Sequence, residues 1–239
     1  MRILLAAAGL ALLVPSAFAQ TQASTLAPGE YVREGGWGYL TLRAGPRGAQ
    51  PFEIQAYGAN AHTCELDGRV ANGKATLEAM EKNDPCIVTF TAVPEGVVVD
   101  PTESCKSYYC GVRARFEGLY LRPAPGCAPK AVRATRDEFK KLYDAKRHAE
   151  ARDKLEPILK NCARTTSDIQ GGSIRNDLAV TLHKMKDFTA CRAVLEPLAE
   201  EAKMTDEQLR GQYPPADADN HVDLARATRT NLKLCKSPS

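Results

Sequence analysis

The sequence predicts an α+β protein, in which an N-terminal antiparallel β-barrel or sandwich is followed by a C-terminal all-α array of helical hairpins. Three observations predict it. Apolar residues recur with a period of two from Leu26 to Pro123, and with a period near 3.6 from about residue 135 onward. Between the two patterns, Arg122-Pro123-Ala124-Pro125-Gly126-Cys127-Ala128-Pro129 carries three prolines, which remove backbone donors and fix φ, so neither a strand nor a long helix continues through it. Residues 142–159 also return, forty positions on, as 182–199, with Leu142/Leu182, Lys146/Lys186, Arg152/Arg192 and the tripeptides Leu155-Glu156-Pro157 and Leu195-Glu196-Pro197 in register. A period of this length is the mark of stacked helical hairpins.

The 239 residues, 44% apolar and 26% charged, have ordinary globular composition. Residues 1–19 differ. Arg2 precedes an apolar run from Ile3 to Val14, and Ala17-Phe18-Ala19 is a small-x-small cleavage site before Gln20, the pattern of a secretory signal peptide. The expected product is periplasmic, with no membrane insertion of the mature chain. Loss of Arg2 takes the net charge from +3 to +2, and signs are mixed along the chain, so no nucleic-acid partner is expected.

The β region is expected over 26–122, with strands at Glu30–Glu34, Trp37–Arg43, Phe52–Tyr57, Thr63–Val70, Lys74–Met80, Cys86–Ala92, Gly96–Val99 and Val112–Arg122. They are short, β-branched or aromatic, and separated by turn clusters such as Asn72-Gly73 and Asn83-Asp84-Pro85. In the last, Arg113, Arg115 and Glu117 alternate with Val112, Ala114 and Phe116, giving one wet and one packed face.

A linker at 123–129 leads to the helical region, 130–236. Thr135-Arg136-Asp137-Glu138 reads as a capping box opening the first helix. The second carries Ala151, Leu155, Ile158, Leu159 and Cys162 on one face. Gln170-Gly171-Gly172-Ser173 reads as a break with Ser173 as the next N-cap. A third helix presents Ile174, Leu178, Leu182 and Met185, and a fourth Phe188, Cys191, Val194, Leu195 and Leu198. Tyr213-Pro214-Pro215 precedes a fifth, and Pro157 and Pro197 should each bend the helix that holds it.

Eight cysteines follow the signal peptide, an even number that reads as disulfides in an exported chain: Cys64, Cys86, Cys105, Cys110, Cys127, Cys162, Cys191 and Cys235. In stacked hairpins the start of one pair's first helix lies beside the end of its second, which predicts 127–162; the same antiparallel logic predicts 191–235. The short spacing of Cys105 and Cys110 suggests a small closed loop, leaving 64–86. No Cys-x-x-Cys, Walker loop, Gly-x-Ser-x-Gly or His-Glu-x-x-His occurs, so neither metal, cofactor nor enzymatic activity is expected. His62, with Asp67 as a conceivable orienter, is expected to be a rim histidine bonded to a turn. His148, His183 and His221 are assigned structural roles.

The better candidate is the segment Lys106-Ser107-Tyr108-Tyr109, which a Cys105–Cys110 clamp would hold rigid for a protein partner, so that less entropy is lost on docking. Lys146, Arg175 and Lys186 could line a concave helical face that takes an acidic peptide.

Two resemblances add to this. The pairs Leu142-Tyr143, Ala145, His148, Ala151 and Leu182, Phe188, Ala190 resemble tetratricopeptide repeats, with a period of 40 in place of that family's 34. The series Gly58-x-Asn60-x-His62-x-Cys64-x-x-x-Gly68, Cys86, Cys105-x-x-x-Tyr109-Cys110-Gly111 and Phe116-x-Gly118-x-Tyr120 resembles small β modules of exported bacterial proteins, some linked to lysozyme-inhibitor families. The short motifs with which membrane-bound c-type lysozyme inhibitors plug their target are absent. These resemblances imply a protein-binding role, either inhibition of a cell-wall hydrolase or toxin, or an adaptor in envelope assembly.

Overall fold

The computed structural model describes residues 26–236; the expected signal peptide, 1–19, lies outside them. Strands β1 (Gly29–Arg33), β2 (Gly38–Leu42), β3 (Gln50–Tyr57), β4 (Thr63–Val70), β5 (Lys74–Leu77), β6 (Cys86–Val93), β7 (Gly96–Pro101) and β8 (Gly118–Leu121) form one antiparallel sheet in the order β4-β3-β2-β1-β8-β7-β6-β5. The period of two becomes a period of burial: Phe52, Ile54 and Ala56 point inward while Glu53 and Gln55 face water, and Cys64 and Leu66 alternate with Glu65 and Asp67. Phe52 and Phe90 meet inside at 4.9 Å between ring centroids.

The two edge strands, β4 and β5, are consecutive in the chain, so the sheet curls into a nearly closed barrel. They are joined by a two-residue turn, in which Asn72 and Gly73 take φ of 51° and 74° and Ala71 and Lys74 exchange both backbone hydrogen bonds. Asn-Gly supplies the left-handed pair that such a hairpin turn requires. Beyond the turn no ladder joins β4 to β5 among the described residues. A short helix, α1 (Glu103–Tyr109), lies across that open end against β4, β6 and β7.

The disulfides fasten it there. Cys105 is bonded to Cys86 at the start of β6, and Cys110, just past α1, to Cys64 on β4, with Cα separations of 4.5 and 4.1 Å. The expected pairs 64–86 and 105–110 are therefore wrong. Because 103–109 is helical, Cys105 and Cys110 point to opposite sides of the seam instead of closing on each other. The expected strand Val112–Arg122 is correspondingly short, although Ala114 and Phe116 still point inward and Val112, Arg113 and Arg115 outward.

The helical region holds α2 (Pro129–Asp144), α3 (His148–Asn161), α4 (Asp168–Lys184), α5 (Phe188–Leu195), α6 (Ala199–Lys203), α7 (Asp206–Gln212) and α8 (Pro215–Leu234). Its core joins Val132 and Phe139 to Ala151, Leu155, Ile158, Ile174, Leu178, Leu182 and Leu195. Cys127–Cys162 and Cys191–Cys235 form as expected. Three expectations fail. The helix that Thr135 was to cap starts seven residues earlier, with Ala128 in place of Thr135 as N-cap, because Pro129 at its first position has no amide to satisfy; Glu138 instead binds Lys154 of α3 at 2.6 Å. Second, α4 runs straight through Gly171-Gly172, capped by Ser167, which accepts from the Gln170 amide. An alanine Cβ at Gly172 would sit 2.7 Å from Leu224 of α8, so glycine there serves close helix packing, not a break. Third, Pro197 does not sit inside a helix but in a 3-10 turn, Glu196–Leu198, between α5 and α6; Pro157 lies within α3, as expected. Short helices α6 and α7 were not foreseen, nor was the capping box that Thr205 and Gln208 form on α7.

A buried polar network fixes α4 against α8. The Asn176 amide donates to Thr228 at 3.0 Å, and Asn231 donates to the Asn176 side-chain oxygen at 2.8 Å.

Two sets of side-chain contacts tie the barrel to the helices. Arg164, after α3, binds Glu34 at 2.7 Å and Glu95 at 3.0 Å. Asn60, held at φ 60° on the barrel rim, accepts from the Ala216 amide with its side chain, while its own amide donates to Asp217. α8 has no side-chain cap of its own, and the barrel supplies one.

Candidate functional site

Lys106, Ser107, Tyr108 and Tyr109 lie on α1, not on a disulfide-closed loop. The premise of rigidity survives by another route, since both ends of the segment are bonded to the barrel across its seam. Ser107 turns back to the Ser104 carbonyl. Lys106 is held between Glu103 at 3.2 Å and Glu117 at 3.7 Å. Burial by itself would raise the Glu117 pKa; its own amide, Lys106 and Arg115 outweigh that and hold it below the usual carboxylate value. Tyr109 packs on the barrel core, and its pKa is raised chiefly by burial, then by Tyr108, Glu78 and Asp67. Tyr108 stands edge-on to Tyr109 at 4.8 Å and is 45% exposed. Two other large apolar side chains face water: Val112, two residues past Cys110, at 93% exposure, and Met80, three residues past β5, at 77%. Glu78, just past β5, lies close enough to Tyr109 for its charge to help raise the Tyr109 pKa.

His62 has its carbonyl, not its ring, in the rim turn, accepting from the Gly58 amide at 2.8 Å. The ring covers Gly111, where any Cβ would fall 2.3 Å from Nδ1. No hydrogen bond joins His62 to Asp67 among the described residues, so the base-and-orienter pair does not form.

The three basic helical candidates are not assembled. Lys146 and Lys186 are exposed in the turns after α2 and α4, at φ 61° and 62°. Their turns match bond for bond: the Lys amide donates to Tyr143 or His183, and the next amide to Leu142 or Leu182. Left-handed residues end helices in this way, which accounts for the shared lysine position without a ligand. Arg175 lies nine residues before the end of α4, about 14 Å along its axis, and faces a different space.

That space is a groove of about 400 Å³ between α3, α4, α6 and α8. Ile158, Leu159, Ile169, Pro197, Leu198 and Leu224 form its apolar walls. Its polar side joins Arg175 to a cluster that sequence reasoning missed. His221 Nδ1 is 2.9 Å from Glu201, and the His221 and Tyr213 rings stack 3.4 Å apart at 8°. Burial, followed by a hydrogen bond to Glu201, raises the Tyr213 pKa. The three residues come from α6, the end of α7 and α8, so no local spacing announces them. A larger hollow of about 710 Å³ lies on β3 and β4, but Arg43–Glu53 and Gln55–Glu65 already bind each other across it.

The fold and these surfaces define a disulfide-stapled barrel joined to a helical array. Four disulfides belong to an oxidising compartment. No helix among the described residues is long and apolar enough to cross a membrane. No protein-family model matches the chain, and no curated protein or solved structure matches it.

Proposed function

We propose that this is a periplasmic protein-binding protein, not an enzyme, that uses the face around α1 to neutralise a cell-wall hydrolase or a delivered toxin. One observation carries the reading: Tyr108, on α1, exposes its ring on a seam that two disulfides immobilise, and Val112, two residues past Cys110, is exposed beside it in the chain. A surface fixed before docking loses little entropy on binding, and an exposed tyrosine is a common anchor. The apolar start of the chain and the four disulfides support export to the periplasm.

The test is hydrolysis of purified peptidoglycan by c-type lysozyme and by hydrolases retained from a periplasmic extract. Mature protein should slow at least one of them, and Tyr108→Ala should relieve the inhibition while leaving the melting curve in place. Unchanged hydrolysis in every case, or full inhibition by Tyr108→Ala, would remove the reading.

A second reading, an adaptor for envelope assembly, is favoured by the matched turns at Lys146 and Lys186. They support taking α2–α3 and α4–α5 as tetratricopeptide-like hairpins offering a peptide-binding face. Loss of partner capture on deleting the helices, with α1 variants neutral, would decide for it.

A further inference from the structure

We propose that the groove between α3, α4, α6 and α8 binds a small organic carboxylate with an apolar body, and that Arg175 receives the carboxylate. The volume of about 400 Å³ lies within the range of small-ligand sites, and apolar walls with few converging polar groups are how such sites are built.

Which group can take a charged ligand depends on which charged side chain has unengaged hydrogen-bonding atoms. Glu201 has its oxygens occupied by His221 and Tyr213 on the wall made by α6 and α8, and its negative charge is felt at Tyr213, so that wall is no place for an anion and leaves Arg175 as the group free to receive one. Asp168, at the exposed first turn of α4, offsets the positive end of that helix and leaves the helix terminus no claim on an anion. Arg175 is half-buried, and among the described residues its guanidinium meets one protein acceptor, the Val194 carbonyl at 3.3 Å, and no carboxylate. Its remaining donors match a planar two-oxygen acceptor. An apolar tail then lies along Leu159, Ile169, Leu198 and Leu224. A cationic ligand would meet Arg175, and a fully polar one would strip water from the walls without return.

Octanoate and octanamide, which differ only in the charged end, are the probes. In calorimetry with the intact mature protein, octanoate should bind and octanamide should bind about tenfold or more weaker. Arg175→Gln should bring octanoate down to the amide's level, while Lys186→Gln leaves it unchanged. Amide resonances shifted by octanoate in the wild-type protein should cluster at Gly171, Gly172, Leu198 and Leu224, a readout that stands even if Arg175→Gln misfolds. No octanoate binding, equal affinity for acid and amide, undiminished binding by folded Arg175→Gln, or shifts centred elsewhere would each overturn the proposal.

Discussion

The barrel and the helical region each contain two disulfides, and these perform different tasks. In the helical region Cys127–Cys162 and Cys191–Cys235 join elements that already pack, with Leu155, Ile174 and Leu195 buried between them and Asn176, Thr228 and Asn231 keying α4 to α8. In the barrel Cys64–Cys110 and Cys86–Cys105 hold α1 over a seam where the β4–β5 ladder has stopped. A helix array closes by side-chain packing and needs only chain constraint. A sheet with two free edges must have them paired or covered, and here the cover is covalent.

The largest expected effect tests this directly. Cys64–Cys110 and Cys191–Cys235 span 46 and 44 residues, so chain entropy assigns each bridge about 4 kcal/mol. Cys64→Ala/Cys110→Ala should nevertheless cost more than Cys191→Ala/Cys235→Ala, because α1 also leaves the seam. Native-state hydrogen exchange, which reads the two regions separately, should show the larger fall in β4 and β6 amides. Equal losses would mean that the barrel closes without its staple.

Next in size is the polar key. Asn176→Leu should destabilise the helical region by about 1–3 kcal/mol by leaving Asn231 only its longer bond to the Asn176 backbone carbonyl and removing the bond to Thr228, and adding Asn231→Leu should recover part of that loss. Denaturant titration followed on α8 amides measures both. A single-variant loss below experimental error would mean that apolar packing alone sets the α4–α8 register.

Much of the fold was legible in the sequence, and unevenly so. Seven of the eight strands lie close to their expected bounds, because a half-buried strand writes its period of two into residues such as Phe52-Glu53-Ile54-Gln55. The helical disulfides were legible because hairpin geometry is local. The barrel disulfides were not: Glu103–Tyr109 is too short to show a helical period, and without that helix Cys105 and Cys110 look like partners. Gly171-Gly172 misled in the opposite direction, since composition does not distinguish a glycine that ends a helix from one that admits Leu224. Of the candidate site, the tyrosine pair at Tyr108 and Tyr109 was visible as a feature of its segment, whereas Glu201, Tyr213 and His221 are brought together only by the packing of α6, α7 and α8.

The two glycines give a smaller effect with opposite signs. Gly172→Ala should destabilise by about 1 kcal/mol, the overpacking against Leu224 exceeding the gain in helix propensity. Gly171→Ala meets nothing nearer than Thr166 at 3.9 Å and should stabilise by up to about 1 kcal/mol. Thermal melting of the two variants decides it, and a shared sign would remove close α4–α8 approach as the reason for Gly172.

The smallest effect concerns charge beneath α1 and separates the regions by pH. Glu117 is held below its ordinary pKa in the folded barrel, so its contribution is complete above the unfolded carboxylate value and is lost as pH falls through the folded one. Protonation there releases Lys106, one of the contacts between α1 and the segment leading into β8. Lowering the pH from about 6 to about 3 should therefore loosen barrel amides in the wild type more than in Glu117→Gln, which has no proton to take up at that position. Amides of α4 and α8 should respond alike in both proteins. Equal acid sensitivity of the barrel in the two would mean that the disulfides hold α1 without help from the Lys106–Glu117 pair.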